Sequence, residues 1–84
     1  MNTDYKYEVQ YLDKKGEPVG YECAHTPPEA RRPAVAALSR SLQPYELRYA
    51  EILSIETGES VSAYRTTPEG LIKQISIDAL PEPS

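Results

Sequence analysis

The residues best suited to chemistry are Cys23 and His25, each the only residue of its type in the chain. They lie two positions apart in a segment of strand character, so their side chains should share one face of that strand. An imidazole beside a thiol can activate it as a nucleophile. Such a centre also needs groups that stabilise an oxyanion, and the sequence has no recognisable loop for them. We therefore interpret Cys23 as a small buried hydrophobic residue and predict no catalytic residue and no enzyme.

Metal and cofactor sites are equally poorly supported. One Cys and one His fall short of the three or four ligands of a zinc site, and Glu22 should point to the opposite strand face. The four glycines are isolated along the chain, which excludes a glycine-rich phosphate loop. We predict neither a metal nor any other cofactor.

The charge balance is acidic, with 13 Asp and Glu against 9 Lys and Arg and a formal net charge of −4. This argues against broad binding of a phosphate backbone, which needs a basic face. Arg31, Arg32 and Arg40, with Lys14 and Lys15, keep a nucleic-acid-binding patch open as an alternative. A solvated helix face is the simpler interpretation of these residues.

The length of 84 residues predicts one domain, over residues 1–80, followed by a disordered tail over residues 81–84. No apolar run approaches the length that crosses a bilayer, and the N-terminus lacks the features of a signal peptide. A single cysteine cannot form an internal disulfide. These features predict a cytoplasmic protein.

Two strands are predicted before the pair Pro27 and Pro28. Residues 5–12 alternate between apolar and polar with a period of two, and residues 19–25 carry apolar side chains on one face. Between them, Gly16 and its charged neighbours are typical of a turn. The pattern predicts an antiparallel hairpin.

One helix is predicted after this hairpin. Thr26 and Glu29 have the spacing of a capping box, and proline is favoured in the first turn. The apolar spacing extends the helix to about Leu42. Pro33 removes one helical hydrogen bond, so the helix is either kinked there or restarts at that residue.

Three further strands are predicted, over residues 47–56, 60–66 and 71–78. The first is apolar on both faces, and its first half could instead continue as helix. The last could also be a helix, because its apolar residues fit helical spacing as well. Turns at residues 57–59 and 67–70 separate the strands.

The order β-β-α-β-β-β predicts an α+β fold with a mainly antiparallel sheet of about five strands and one helix on one face. The predicted core consists of Tyr7, Val9, Tyr21, Val35, Leu38, Leu53, Ile55, Val61 and Ile75.

Self-association is a further expectation, because two sheet edges stay open and one helix covers only one face. Leu12, Ile52 and Ile72 are predicted on the uncovered face. A two-fold homodimer that buries this face or an edge is therefore possible.

In outline the chain resembles the anti-CRISPR proteins of phages and mobile elements, which are small, acidic and compact. The segment Thr26-Pro27-Pro28-Glu29-Ala30, followed by Ala34 and Ala37, is also similar to the helix start of antitoxins in HicAB toxin–antitoxin pairs. Those antitoxins have a longer, glycine-rich second strand and turn, and residues 19–25 lack this feature. Both resemblances imply a stoichiometric inhibitor that occupies a partner's surface.

The leading hypothesis is a non-enzymatic inhibitor that covers a basic groove of a nucleic-acid-processing complex, such as a CRISPR–Cas effector. A housekeeping or structural accessory domain and an antitoxin-like neutralising protein are the alternatives. The predicted partner-binding residues are Glu51, Glu56, Glu59, Tyr45, Tyr49 and Tyr64. The three tyrosines among them are expected to be partly exposed, as is Tyr5.

Overall fold

The computed structural model describes residues 5–39, 47–67 and 69–81. The elements in chain order are β1 (Tyr7–Asp13), β2 (Pro18–Ala24), α1 (Pro27–Ser39), β3 (Leu47–Ser54), β4 (Ser60–Thr66), β5 (Ile72–Ile75) and a 3-10 helix (Ile77–Ala79). The predicted α+β fold and the order β-β-α-β-β-β are confirmed.

The five strands form one antiparallel sheet in the order β2-β1-β3-β4-β5. Three of the four neighbouring pairs are consecutive in the chain, so short turns close most of the sheet. The connection through α1 returns the chain to the other side of β1, where β3 pairs with it. This order leaves β2 and β5 as the edge strands.

The start of α1 follows the predicted capping chemistry. Thr26 Oγ1 accepts a hydrogen bond from the Glu29 N–H at 3.2 Å, and the Thr26 carbonyl accepts one from the Ala30 N–H at 2.9 Å. The helix passes through Pro33 as one element, so it does not restart there. Its predicted continuation over residues 40–42 lies outside the described residues.

The core lies between α1 and one face of the sheet, which we call the helix face. Ala30, Ala34 and Leu38 of α1 are buried against it. The buried strand residues of this core are Val9, Tyr11, Ala24, Ala50, Ile52 and Tyr64. The four alanines of this core, two on the helix and two on the strands, let the backbones approach closely, which suits a chain too small for a large core.

The predicted core is right for Val9 and Leu38 and wrong for Tyr21, Ile55 and Val61, which are exposed. Ile52 lies in the core, and Ile72 packs against it, so neither is on the uncovered face. Since β3 is apolar on both faces, its hydrophobic pattern could not decide which face meets the helix. The register settles this, because Ile52 pairs with Val9 of β1.

The opposite face, here called the back face, is partly covered by residues 77–81. These residues and the sheet residues Gln10, Leu12 and Glu51 line an open cavity of about 400 Å³. Leu12 is consequently buried, contrary to the expectation that it faces an open surface. The segment also reaches the β1–β2 turn, since a Cβ built on Gly16 would lie 2.7 Å from the Pro81 carbonyl oxygen.

The predicted C-terminal strand needs a correction. The fifth strand ends at Ile75 instead of Asp78, because Ser76 caps the short 3-10 helix by accepting the Asp78 N–H at 3.3 Å. Pro81, the first residue of the predicted tail, lies close to Gly16. Residues 82–84 lie outside the described residues.

Candidate partner-binding surface

The β3–β4 turn, residues 55–59, is held by four hydrogen bonds. The Gly58 N–H donates to the Ser54 carbonyl at 2.7 Å, and the Ser54 N–H donates to the Glu59 carbonyl at 2.8 Å. Ser54 Oγ accepts the Thr57 N–H at 3.4 Å, and Thr57 Oγ1 accepts the Glu59 N–H at 3.2 Å. Gly58 has a φ of 76°, which an L residue adopts only with strain. The turn backbone is therefore fixed by its own local bonds.

This turn presents two carboxylates to solvent. Glu56 and Glu59 are both exposed, as their position beside a predicted turn indicated. The four hydrogen bonds of the turn join main-chain and hydroxyl groups, so neither carboxylate takes part in them. The pair forms an acidic tip on a defined hairpin.

Exposed apolar side chains lie beside the acidic tip. Ile55 is 47% exposed and Tyr5 is 41% exposed. The Ile55 N–H donates to the Lys6 carbonyl at 2.9 Å, which fixes the two segments side by side. Tyr5, Lys6, Ile55 and Glu56 line an open groove of about 610 Å³. We call Tyr5, Lys6, Ile55, Glu56 and Glu59 the turn surface.

Three of the predicted contact residues do not join the turn surface. Glu51 is half-buried on the back face, where its carboxylate accepts a hydrogen bond from the Ser60 hydroxyl. Tyr49 is half-buried on the same face, paired with Leu12 of β1. Tyr64 is only 7% exposed and belongs to the core, so its expected exposure is wrong. Tyr45 lies outside the described residues.

Sequence reasoning missed Ile55, which it placed in the core. The alternation of β3 suggested a buried position, but the strand ends at Ser54 and Ile55 already belongs to the turn. Its position directly before Glu56, Thr57 and Gly58 was the available signal, because the end of a hairpin usually faces solvent.

Cys23 and His25, the two residues considered for catalysis, lie in the following surroundings. Cys23 is a free, exposed cysteine on β2, so the expectation that it is buried is wrong. The His25 ring lies against the Tyr5 ring, with centroids 4.6 Å apart and planes tilted by 32°. Among the described residues, no group of three or more His, Cys, Asp and Glu side chains could hold a metal ion.

The clearest electrostatic perturbation lies in the β1–β2 turn, at the other end of the sheet. Asp13 Oδ1 accepts hydrogen bonds from the Lys15 N–H at 2.9 Å and the Glu17 N–H at 3.0 Å. The bond from Glu17 is the main cause that lowers the pKa of Asp13 below its ordinary value. The bond from Lys15 and the Lys15 charge act in the same direction.

The basic side chains proposed for the alternative function are partly described. Arg31 and Arg32 are exposed on α1, where they line an open groove with Pro28 and Val35. Lys14 and Lys15 belong to the β1–β2 turn, at the end of the sheet away from the helix start. Arg40 lies outside the described residues. The helical pair thus stands apart from the lysines.

Comparison with protein-family models, with curated protein sequences and with solved structures yields no match. In the part of the chain that the structure describes, no helix has the length and apolar character needed to cross a membrane.

Proposed function

We propose that this chain is a non-enzymatic binding protein that inhibits a nucleic-acid-processing complex by covering a basic surface with its turn surface. The observation that carries the proposal is the pairing of two solvated carboxylates, Glu56 and Glu59, with the exposed side chains of Ile55 and Tyr5. Acidic and apolar groups at one rigid tip can provide both charge complementarity and contact area.

The acidic tip would act mainly on association. Complementary charges steer two proteins together and raise the on-rate, and salt weakens this effect. The whole chain contributes to the steering, since its formal net charge is −4. A basic partner surface is therefore the class of surface that this protein should approach fastest.

The apolar part of the turn surface would hold the complex once it forms. Ile55 and Tyr5 each expose more than two fifths of their surface, and tyrosine is a common anchor at interfaces. The hydrogen-bonded turn needs little further ordering, so the entropic cost of docking is reduced.

Inhibition follows if the covered surface is one that normally binds nucleic acid. A nucleic-acid groove is rich in Lys and Arg, and an acidic protein in that groove excludes the phosphate backbone. A CRISPR–Cas effector is the partner suggested by the outline resemblance to anti-CRISPR proteins. A phage or mobile element would then encode the chain, and the host-cell cytoplasm would be its place of action.

The test is a competition experiment with the full-length chain. The protein is immobilised, its partner is captured from the native host, and the purified partner is then offered with increasing amounts of its own nucleic acid. We expect the nucleic acid to displace the partner, because both ligands require one basic surface. A ternary complex of chain, partner and nucleic acid would contradict the proposal.

A direct binding control separates the alternative that uses Arg31 and Arg32. The chain alone is titrated with fluorescently labelled single-stranded and double-stranded DNA and RNA. We expect no saturable binding at physiological salt, since the net charge is negative. Saturable binding that Arg31→Ala with Arg32→Ala abolishes would instead support a nucleic-acid-binding role for the helix.

A further inference from the structure

The ring of His25, the one histidine of the chain, lies against a side chain of the turn surface. Its centroid is 4.6 Å from that of the Tyr5 ring, and the two planes are tilted by 32°. Both residues are exposed. This separation lies within the range of about 4.5–7 Å at which aromatic rings attract each other. His25 is therefore in direct contact with the turn surface, although it follows β2 in the chain.

Main-chain hydrogen bonds hold the two segments that carry these rings. The Lys6 N–H donates to the Ala24 carbonyl at 3.1 Å, and the Ile55 N–H donates to the Lys6 carbonyl at 2.9 Å. Lys6 is thus tied both to the end of β2 and to the β3–β4 turn. Tyr5 directly precedes Lys6 and His25 directly follows Ala24, so the two rings extend from segments that are bonded to each other.

The segments around the His25 ring carry both signs of charge. Tyr5 is the titratable side chain that the ring touches, and Lys6 and Glu56 line the open groove together with Tyr5. Glu59 completes the turn surface, so two carboxylates stand against one ammonium group and leave one negative charge in excess. The charged residues in the first two turns of α1 are Glu29, Arg31 and Arg32. A proton on His25 would offset the excess negative charge of the turn surface.

Histidine differs from the other side chains of this surface in the pH range over which it gains a charge. An imidazole ordinarily does so between about pH 8 and about pH 5, whereas glutamate titrates near about pH 4 and lysine and tyrosine near about pH 10. A cation within about 6 Å of a tyrosine ring is also attracted to the ring face, so the contact between His25 and Tyr5 should persist after protonation. Acidification in this range therefore changes the charge of the surface and not its shape.

We propose that His25 makes binding through the turn surface sensitive to pH. When its ring is neutral, the excess negative charge of the turn surface attracts a basic partner. When the ring is protonated, that excess is cancelled and association slows. The formal net charge of the whole chain then moves from −4 to −3, since one proton adds one unit. The inference rests on the proposed function and assigns a regulation to the same site.

The first test needs no partner. The full-length, isotopically labelled chain is titrated from about pH 8 to about pH 5.5 and followed by NMR. The single imidazole gives one titration curve, and we expect the Tyr5 ring signals and the Lys6 and Ile55 amide signals to follow it with the same midpoint. In His25→Phe, which keeps an aromatic ring, these shifts should fall away. The N-terminal amine titrates near this range but is present in both proteins, so the difference between them reports His25.

The second test measures binding of the captured partner by surface plasmon resonance at low salt. The on-rate of His25→Phe is divided by that of the parent at each pH, because this ratio removes any titration of the partner itself. We expect the ratio to rise about two- to threefold from about pH 8 to about pH 5.5, and the rise to shrink as salt increases. The ratio of the off-rates should stay constant with pH, since the ring contact persists.

The matched control moves the histidine to the far end of the sheet. The variant His25→Phe with Leu71→His has the same types and number of titratable groups as the parent. Leu71 is 66% exposed and lies beyond Thr66, at the end of β4 away from the β3–β4 turn. Its on-rate ratio should rise as that of His25→Phe does, because the position of the added charge matters more than the total.

Three results would overturn this inference and leave the proposed function standing. The first is an imidazole titration that the Tyr5, Lys6 and Ile55 signals do not follow. The second is an on-rate ratio that is independent of pH while salt still slows association of the parent. The third is a double variant that binds with the same pH dependence as the parent, because total charge would then explain the effect. An on-rate that is independent of salt at every pH would contradict the proposed function as well.

Discussion

The β1–β2 and β3–β4 turns use the same local chemistry in different surroundings. Each has a glycine of positive φ, Gly16 at 84° and Gly58 at 76°, and each is tied by a side-chain oxygen that accepts backbone N–H groups. Gly16 is buried under Pro81, whereas a Cβ on Gly58 would meet no atom within 4 Å. The first turn therefore packs against the rest of the fold, and the second is exposed to solvent.

Alanine at the two glycines gives the largest expected difference. Both substitutions place a Cβ in the left-handed region, which costs about 1–2 kcal/mol. Gly16→Ala also forces the new Cβ against the Pro81 backbone, which adds about 1–3 kcal/mol for overpacking. Urea denaturation should therefore show a clearly larger loss of unfolding free energy for Gly16→Ala.

The comparison between the two glycines fails if both variants lose the same stability. Equal losses would mean that residues 77–81 move aside at no cost, so the cover over the β1–β2 turn is not a structural contact. The expected result keeps Gly58→Ala within about 2 kcal/mol of the parent.

A smaller difference is expected in the response of the two turns to acid. The Asp13 carboxylate is hydrogen-bonded in the folded state, so its pKa is below the unfolded value. A lowered pKa stabilises the fold above the unfolded pKa, near pH 4, and this contribution disappears as the pH falls through the folded value. Thr57, the matching acceptor in the β3–β4 turn, does not titrate in this range.

The measurement compares the parent with Asp13→Asn and Thr57→Ala by urea denaturation from about pH 6 to about pH 3. The stability gap between the parent and Asp13→Asn should be constant above about pH 5 and should shrink below about pH 4. The gap for Thr57→Ala should stay constant. A pH-independent gap for Asp13→Asn would show that its charge does not hold the turn.

The sequence predicted the order of the elements because local signals are strong in this chain. Gly16 and Gly58 mark tight turns, and Thr26 with Glu29 marks the helix start, each through chemistry that acts within a few residues. The antiparallel sheet then follows from the short connections.

The assignment of faces could not be predicted in the same way. Ile52 and Leu53 are both apolar, and only the pairing of Ile52 with Val9 places one of them under the helix. No local pattern predicted that residues 77–81 cover part of the back face. These residues lie close to Gly16 in space but far from it in the chain. For the candidate site, the exposure of Glu56 and Glu59 could be predicted from the turn beside them. The burial of Tyr64 could not, because the sequence did not decide which face of its strand meets the helix.

The most direct test of the account is a charge reversal at the open turn. Glu56→Lys with Glu59→Lys moves the formal net charge from −4 to 0, since each change adds two units. Glu17→Lys with Glu69→Lys is the matched control, because it makes the same change at two exposed residues of the opposite end of the sheet. Both pairs lie in turns, so both variants should fold.

The measurement is surface plasmon resonance with the captured partner at several salt concentrations. We predict that reversal at Glu56 and Glu59 lowers the on-rate by about tenfold or more at low salt, and that this loss shrinks as salt rises. The control pair should change the on-rate far less, because its charges lie away from the contact. Equal losses from the two variants, or an on-rate independent of salt, would contradict binding through the turn surface.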